Sequence, residues 1–109
     1  MNRLLEENIR YLVETTGTLQ MCVTLGEKGA ILFTNQQFYY NTGYKINVVD
    51  TVGSGDSFLA TLISKLLKNT EPQKAINYAC AVGAMVAQNQ GANPMLSHDE
   101  IDKFIISHN

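Results

Sequence analysis

Cysteine is scarce in this sequence. Cys22 and Cys80 are the only two, with no CxxC pair and no Cys/His cluster around either. That spacing argues against a zinc site and for a reducing setting, with both thiols as small apolar core residues. An excess of positive charge is also missing. Eight Lys and Arg against ten Asp and Glu leave a net charge of −2, which gives no electrostatic footprint for nucleic acid or an anionic membrane. No apolar run is long enough to span a bilayer. The opening MNRLLEENIR carries acidic residues where a secretory signal needs its apolar core. The expected setting is therefore the cytoplasm. Internal repeats, low-complexity runs and interdomain linkers are absent too, and the 109 residues amount to one domain that buries ~60–70% of its unfolded surface.

What is present reads as alternating punctuation and periodicity. Residues 4–15 place Leu4, Leu5, Ile9, Leu12 and Val13 at helical spacing, with Gly17 as the stop. LQMCVTLG reads as an apolar strand, GEKG as a hairpin and AILFT as its partner; NQQ leads into FYY, and NTG into a further strand, YKINVVD. From Ser54 to Leu67 the positions Phe58, Leu59, Leu62, Ile63, Leu66 and Leu67 follow a helical period, with Lys65 and Lys68 near the C-terminal end where the dipole favours cations. Thr70 is placed to cap the next helix, with Pro72 in its first turn. The small, apolar AINYACAVGAMVA should be buried on several sides, with Tyr78 and Met85 in the core. After the break at QNQGANP, Ser97 to Glu100 has the S-x-x-E form of a capping box ahead of a last helix, Ile101 to Ile106. His98 is assigned to that cap and His108 to a frayed end.

One stretch, VVDTVGSGDSF at residues 48–58, concentrates the chemistry. Its glycines strip side chains from the start of a helix, where unpaired N–H groups and the positive dipole end can hold a phosphate. A carboxylate at the same turn, Asp56, would be repelled by a resting phosphate unless it has a task, and taking a proton from a hydroxyl that attacks phosphorus is one. A P-loop needs a lysine after the second glycine, and none follows Gly55. The lipase elbow needs glycine two residues before its serine, and Val52 stands there ahead of Ser54. Gly55-Asp56-Ser57 also has the form of the GDS esterases, with Ser57 as nucleophile, but neither His98 nor His108 has an aspartate three residues before it. A plain glycine turn with Asp56 as a helix cap is the remaining alternative.

The longer pattern Asp50-Thr51-Val52-Gly53-Ser54-Gly55-Asp56-Ser57-Phe58 resembles the D-T-x-G-[AS]-G-D-x-F motif of the ribokinase-like sugar kinases, the phosphofructokinase B family. VTLGEKGAILF (Val23 to Phe33) is similar to that family's T-L-G-x-x-G nucleotide loop, and GANP (Gly91 to Pro94) to its G-A-x-P element. Together the three span about residues 20–95. The resemblance implies an α/β fold, the C-terminal fragment of a ribokinase-like three-layer α/β/α sandwich with a mixed sheet. Its elements would be a helix, a β-meander and three helices. It also implies that residues 1–109 are the nucleotide-binding part, without the N-terminal sugar pocket, lid and N-x-x-E motif.

Residue by residue, the resemblance assigns Asp56 as catalytic base and the N–H groups of Gly53, Ser54 and Gly55 as the anion hole for the transferring phosphoryl group. It sets Thr24, Gly26 and Gly29 against ATP, and Cys80 beside the adenine ring. A monovalent cation such as K⁺ would be held by Asp50, Val52, Val86, Asn89 and Gly91, mostly through backbone carbonyls. The implied cofactors are ATP and Mg²⁺, and the implied reaction is phosphorylation of a sugar hydroxyl. INVVDTVGSGDSFLATLI is most similar to bacterial fructokinases, which points to fructose. Alone, the chain is expected to be inactive, weakly stable or self-associating through edges left where the missing sheet would dock. Two other readings stay open: a noncatalytic nucleotide- or partner-binding fragment, and a GDS-type esterase acting through Ser57.

Overall fold

Alternation along the strands decides the architecture. The computed structural model describes residues 3–88 and 96–108. In chain order these form α1 (Arg3–Thr16), β1 (Met21–Thr24), β2 (Ala30–Thr34), β3 (Gln37–Asn41), α2 (Ser54–Leu67), α3 (Pro72–Ala87) and α4 (His98–Ser107). The strands make an antiparallel sheet in the order β1-β2-β3. Short hairpins join them, which permits only antiparallel pairing, so the mixed sheet expected for the whole fold is not seen among the described residues. Cys22, Leu32 and Tyr39 share one row of the register, and Val23, Ile31 and Tyr40 the next. Because side chains alternate across a sheet, these rows face opposite ways. The Leu32 row packs on α2 and α3 through Phe58, Leu62, Ala75, Ile76 and Ala79. The Ile31 row packs on α1 through Ile9 and Val13. Every residue of β2 is buried, as a strand covered on both faces must be. The result is helix, sheet, helices: the three-layer sandwich.

The helices follow their sequence signals with corrections. α1 ends where Gly17, at φ 72°, donates its N–H to the Val13 carbonyl at 3.0 Å. Only Ile9 and Val13 of α1 are buried, with Leu5 packed against them. Leu4 and Leu12 stay exposed, because the apolar stripe meets a sheet too narrow to cover it. Arg10 instead lays its guanidinium 5.0 Å from the Phe38 ring centre. The cap of α3 is Glu71, not Thr70: its carboxylate accepts from the N–H groups of Gln73 and Lys74 at 3.0 and 3.1 Å. As expected, α3 is buried on opposite sides, Ile76 and Ala79 toward the sheet and Tyr78 and Ala81 toward α4. The Ser97–Glu100 capping box is present, and α4 starts at His98, three residues before Ile101. His108 is the C-cap, its ring stacked on Phe104 at 3.9 Å.

YKINVVD is not a strand. Residues 42–50 join no ladder; Tyr44 and Ile46 turn instead into the cluster between α3 and α4. The N–H groups of Val49 and Asp50 both donate to the Ala87 carbonyl, at 2.8 and 3.1 Å. This brings the chain to the start of α2 along the C-terminal end of α3. No helix among the described residues is long and apolar enough to cross a membrane.

Candidate active site

The turn that opens α2 is built around Gly53, which is the N-cap at φ 81°, a left-handed conformation that favours glycine. No side chain caps this helix end, so Asp56 is not its capping residue. Ahead of it, the Asp50 carboxylate accepts the Val52 N–H at 2.9 Å, holding the chain in a tight bend. Ser54 is turned inward on the same bend: its N–H and its hydroxyl both donate to the Thr51 carbonyl, at 3.1 and 2.8 Å. The first N–H with a helical partner is that of Ser57, bonded to the Gly53 carbonyl at 2.9 Å. Gly55 and Asp56 lie between, exposed, and an added Cβ on Gly55 would meet nothing within 4 Å. First-turn N–H groups have no intrahelical acceptor. Of the three N–H groups assigned to the anion hole, that of Ser54 is therefore committed within the turn. Those of Gly53 and Gly55, joined by that of Asp56, have no backbone acceptor among the described residues.

The nucleotide-loop residues divide. Gly26 at φ 60° faces open space, whereas Gly29 at φ 97° lies so close to the next turn that an added Cβ would sit 1.8 Å from the Asn41 carbonyl oxygen. Gly29 thus has an internal packing reason to be glycine, and Gly26 is the one with room beside it. Gly43, not singled out by the sequence, completes the approach: a Cβ there would lie 2.3 Å from the Glu27 carbonyl oxygen. Thr24 is exposed at the end of β1. On the same face of that strand, Cys22 packs in the cluster that also takes Cys80 from α3. The fold thereby brings together two cysteines 58 positions apart in sequence. Burial pushes the Cys22 thiol up to about 11; burial, then the neighbouring Cys22, pushes Cys80 up to about 12. Both remain thiols at neutral pH, as packing residues should.

Of the residues assigned to a cation, Asp50 is joined to the end of α3 through the Ala87 carbonyl, beside Val86. The Val86 carbonyl accepts from Gln88. Val52 is exposed and Val86 buried, a difference of little weight for carbonyl ligands. Asn89, Gly91 and the GANP element lie outside the described residues. No three His, Cys, Asp or Glu side chains converge on a metal position among the described residues. Ser57 and His98 both line a groove of about 360 Å³ between α2, α3 and α4. No hydrogen bond joins them among the described residues, so the esterase pairing is not assembled. In that groove Tyr78 donates to Asp102, and burial followed by that carboxylate raises its phenol to about 12.

The profile of the pfkB family carbohydrate kinases matches residues 5–99. The chain belongs to this family. It is 31% identical over 102 residues to an ATP-dependent ribose-1-phosphate kinase of Halopiger xanaduensis, covering 94% of this chain and 34% of that protein. To a fructokinase of Solanum tuberosum it is 32% identical over 83 residues, covering 70% of this chain and 26% of the relative. Among solved structures, 2-dehydro-3-deoxygluconokinase of Thermotoga maritima superposes with a TM-score of 0.84 at 26% identity, over 96% of this chain and 35% of that one. A ribokinase II of E. coli in complex with ATP and Mg²⁺ gives 0.74 at 26%, over 86% and 32%. The fold is thus that of the ribokinase-like kinases, and the chain spans about a third of the length of the proteins it matches.

Proposed function

We propose that this chain supplies the nucleotide-binding and phosphoryl-transfer part of an ATP-dependent sugar kinase. The observation that carries the reading is the opening of α2: an exposed carboxylate, Asp56, in the same first turn as the uncommitted N–H groups of Gly53 and Gly55. In the reaction a sugar hydroxyl oxygen bonds to the γ-phosphorus of ATP as the bond from that phosphorus to the bridging oxygen breaks. The hydroxyl proton passes to Asp56, and ADP leaves. The turn's N–H groups meet the charge on the transferring oxygens, a role in which a single donor is typically worth about 3–4 kcal/mol. Gly26 gives the nucleotide room, and Thr24 and Cys80 flank its site.

Mg²⁺ would neutralise the phosphates, held chiefly by them, since such ions usually take only one or two carboxylates from the protein. We assign a K⁺ ion to Asp50 and the carbonyls of Val52 and Val86, together with Asn89 and Gly91; it would strengthen the positive end of the turn. We assign the sugar pocket and lid to residues beyond this chain, which is why the isolated 109 residues are proposed to be inactive. Fructose is the proposed substrate, supported by similarity to a fructokinase, although the relatives also include a ribose-1-phosphate kinase. Such a reaction draws on cytoplasmic ATP, and we place the protein there.

The test is a titration of the ¹⁵N-labelled chain with Mg-ATP. Saturable shifts of the Gly26, Gly53, Gly55 and Asp56 amides are expected, whereas shifts elsewhere or none would contradict the assignment. Binding here, with no transfer to any sugar by a complete polypeptide bearing these residues, would favour a noncatalytic nucleotide-binding module.

A further inference from the structure

We propose that Gly83 and Ala87, one turn apart on α3, are positioning residues that set where the phosphate turn stands. The inference rests on the role given above to Asp56 and its turn. Ala87 holds the incoming end: its carbonyl takes the N–H groups of both Val49 and Asp50, at 2.8 and 3.1 Å. Gly83 holds the outgoing end. A Cβ added there would lie 3.3 Å from the Ser54 carbonyl oxygen and 3.4 Å from the Phe58 Cβ, so even a methyl group at this position would ask the first turn of α2 to give by a few tenths of an ångström. Residues i and i+4 share a helix face. The segment from Asp50 to Ser54 is therefore gripped at both ends by one rigid face of α3. The same face carries Ile76 and Ala79 into the cluster with the sheet and α2, and the opposite face is anchored by Tyr78 and Ala81 against α4.

Two consequences distinguish this from ordinary packing. A shift of α3 relative to the sheet must carry the bend of Asp50 and the start of α2 with it. A methyl group at position 83 must displace the Ser54 carbonyl from α3 by a few tenths of an ångström, and a larger side chain by more. Small misplacements of reacting groups have large effects on rate, so the second change should act on turnover before it acts on binding.

Gly83→Ala and Gly83→Val in this chain, read by residue-resolved amide hydrogen exchange, test the proposal. Alanine is the better helix former, so α3 amides should exchange as slowly as before or more slowly. The Val49, Asp50 and Ser54 amides should exchange at least about threefold faster with alanine and tenfold faster with valine. Opposite signs in the two segments are the expected result, and should valine prevent folding, alanine alone decides. Acceleration of both segments together, or unchanged exchange in the turn, would overturn the proposal. In a complete polypeptide bearing these residues, kcat for phosphoryl transfer should fall about tenfold in Gly83→Ala with KM for the sugar within about twofold. An equal change in both would contradict a positioning role. If the unaltered protein transfers no phosphate, the kinase reading fails, and the exchange result still judges whether α3 sets the turn.

Discussion

The two glycines of the nucleotide loop should respond very differently to alanine, and the difference can be worked from the structure. At Gly29 the new Cβ would lie 1.8 Å from the Asn41 carbonyl oxygen and 2.6 Å from the Gly43 nitrogen. Both are backbone atoms and cannot swing aside. The carbonyl would have to retreat by at least about 1.6 Å to reach ordinary contact. Gly29 at φ 97° and ψ −140° stands near a backbone region essentially reserved for glycine, which costs another residue about 1–3 kcal/mol, and forced displacement of packed atoms adds about 1–3 kcal/mol. Together these are a large part of the 5–15 kcal/mol that holds a typical domain. Gly26 at φ 60° has nothing within 4 Å of its added Cβ, so only the conformational cost of about 1–2 kcal/mol applies. Urea denaturation followed by circular dichroism should therefore show Gly29→Ala losing at least about 1 kcal/mol more than Gly26→Ala. Gly26→Ala should in turn weaken Mg-ATP binding out of proportion to its effect on stability. Equal losses, or a greater loss at Gly26, would refute the division of the loop into a packing glycine and a ligand-facing one.

Other expectations follow from single contacts. Glu71→Ala removes the acceptor for two N–H groups at the start of α3 and should cost about 0.5–2 kcal/mol, whereas Thr70→Ala should cost less; the same denaturation assay reads both. The Cys22 thiol is raised from 9.0 to about 11, so the fold favours its protonated form. Its contribution is complete below pH 9 and is lost as pH climbs through 11. Stability should fall less over that interval in Cys22→Ala than in the unaltered chain, and equal falls would show that the thiol contributes nothing. β1 pairs only with β2 among the described strands, and Leu59 and Ile63 stand 52% and 48% exposed on α2. The isolated chain should therefore self-associate with rising concentration in sedimentation, and Leu59→Glu should reduce this. A stable monomer would contradict it.

Much of the fold was legible because local signals agreed with the tertiary result. Ser54 opens α2 where the periodicity of Phe58 and Leu62 begins, and Gly17 and the Ser97–Glu100 box end and begin helices by their own hydrogen bonds. Where sequence reading failed, a partner outside the local window decided. Tyr44, Ile46 and Val48 alternate as a strand would, yet α3 and α4 offer Tyr44 and Ile46 a better apolar surface than any free sheet edge. Thr70 has the residue type of a cap, but the chain turns one residue later, and the longer Glu71 side chain reaches two N–H groups at once. The motif around Asp56 was legible as a pattern. Its internal wiring was not: the Ser54 N–H turning onto Thr51, and Ala87 receiving Val49 and Asp50, depend on backbone geometry that side-chain identity does not encode. Gly83 carried no sequence signal beyond being a glycine inside a helix, a position that usually has a packing reason.

The most direct test of the central claim is phosphoryl transfer from ATP to a sugar by Asp56→Asn in a complete polypeptide bearing these residues. Loss of the proton acceptor should lower kcat by about a hundredfold or more, with the dissociation constant for Mg-ATP within about threefold of the unaltered protein, since asparagine keeps the shape of the turn. Turnover that survives the substitution, or a loss of ATP binding as large as the loss of turnover, would contradict the assignment of Asp56 as the base.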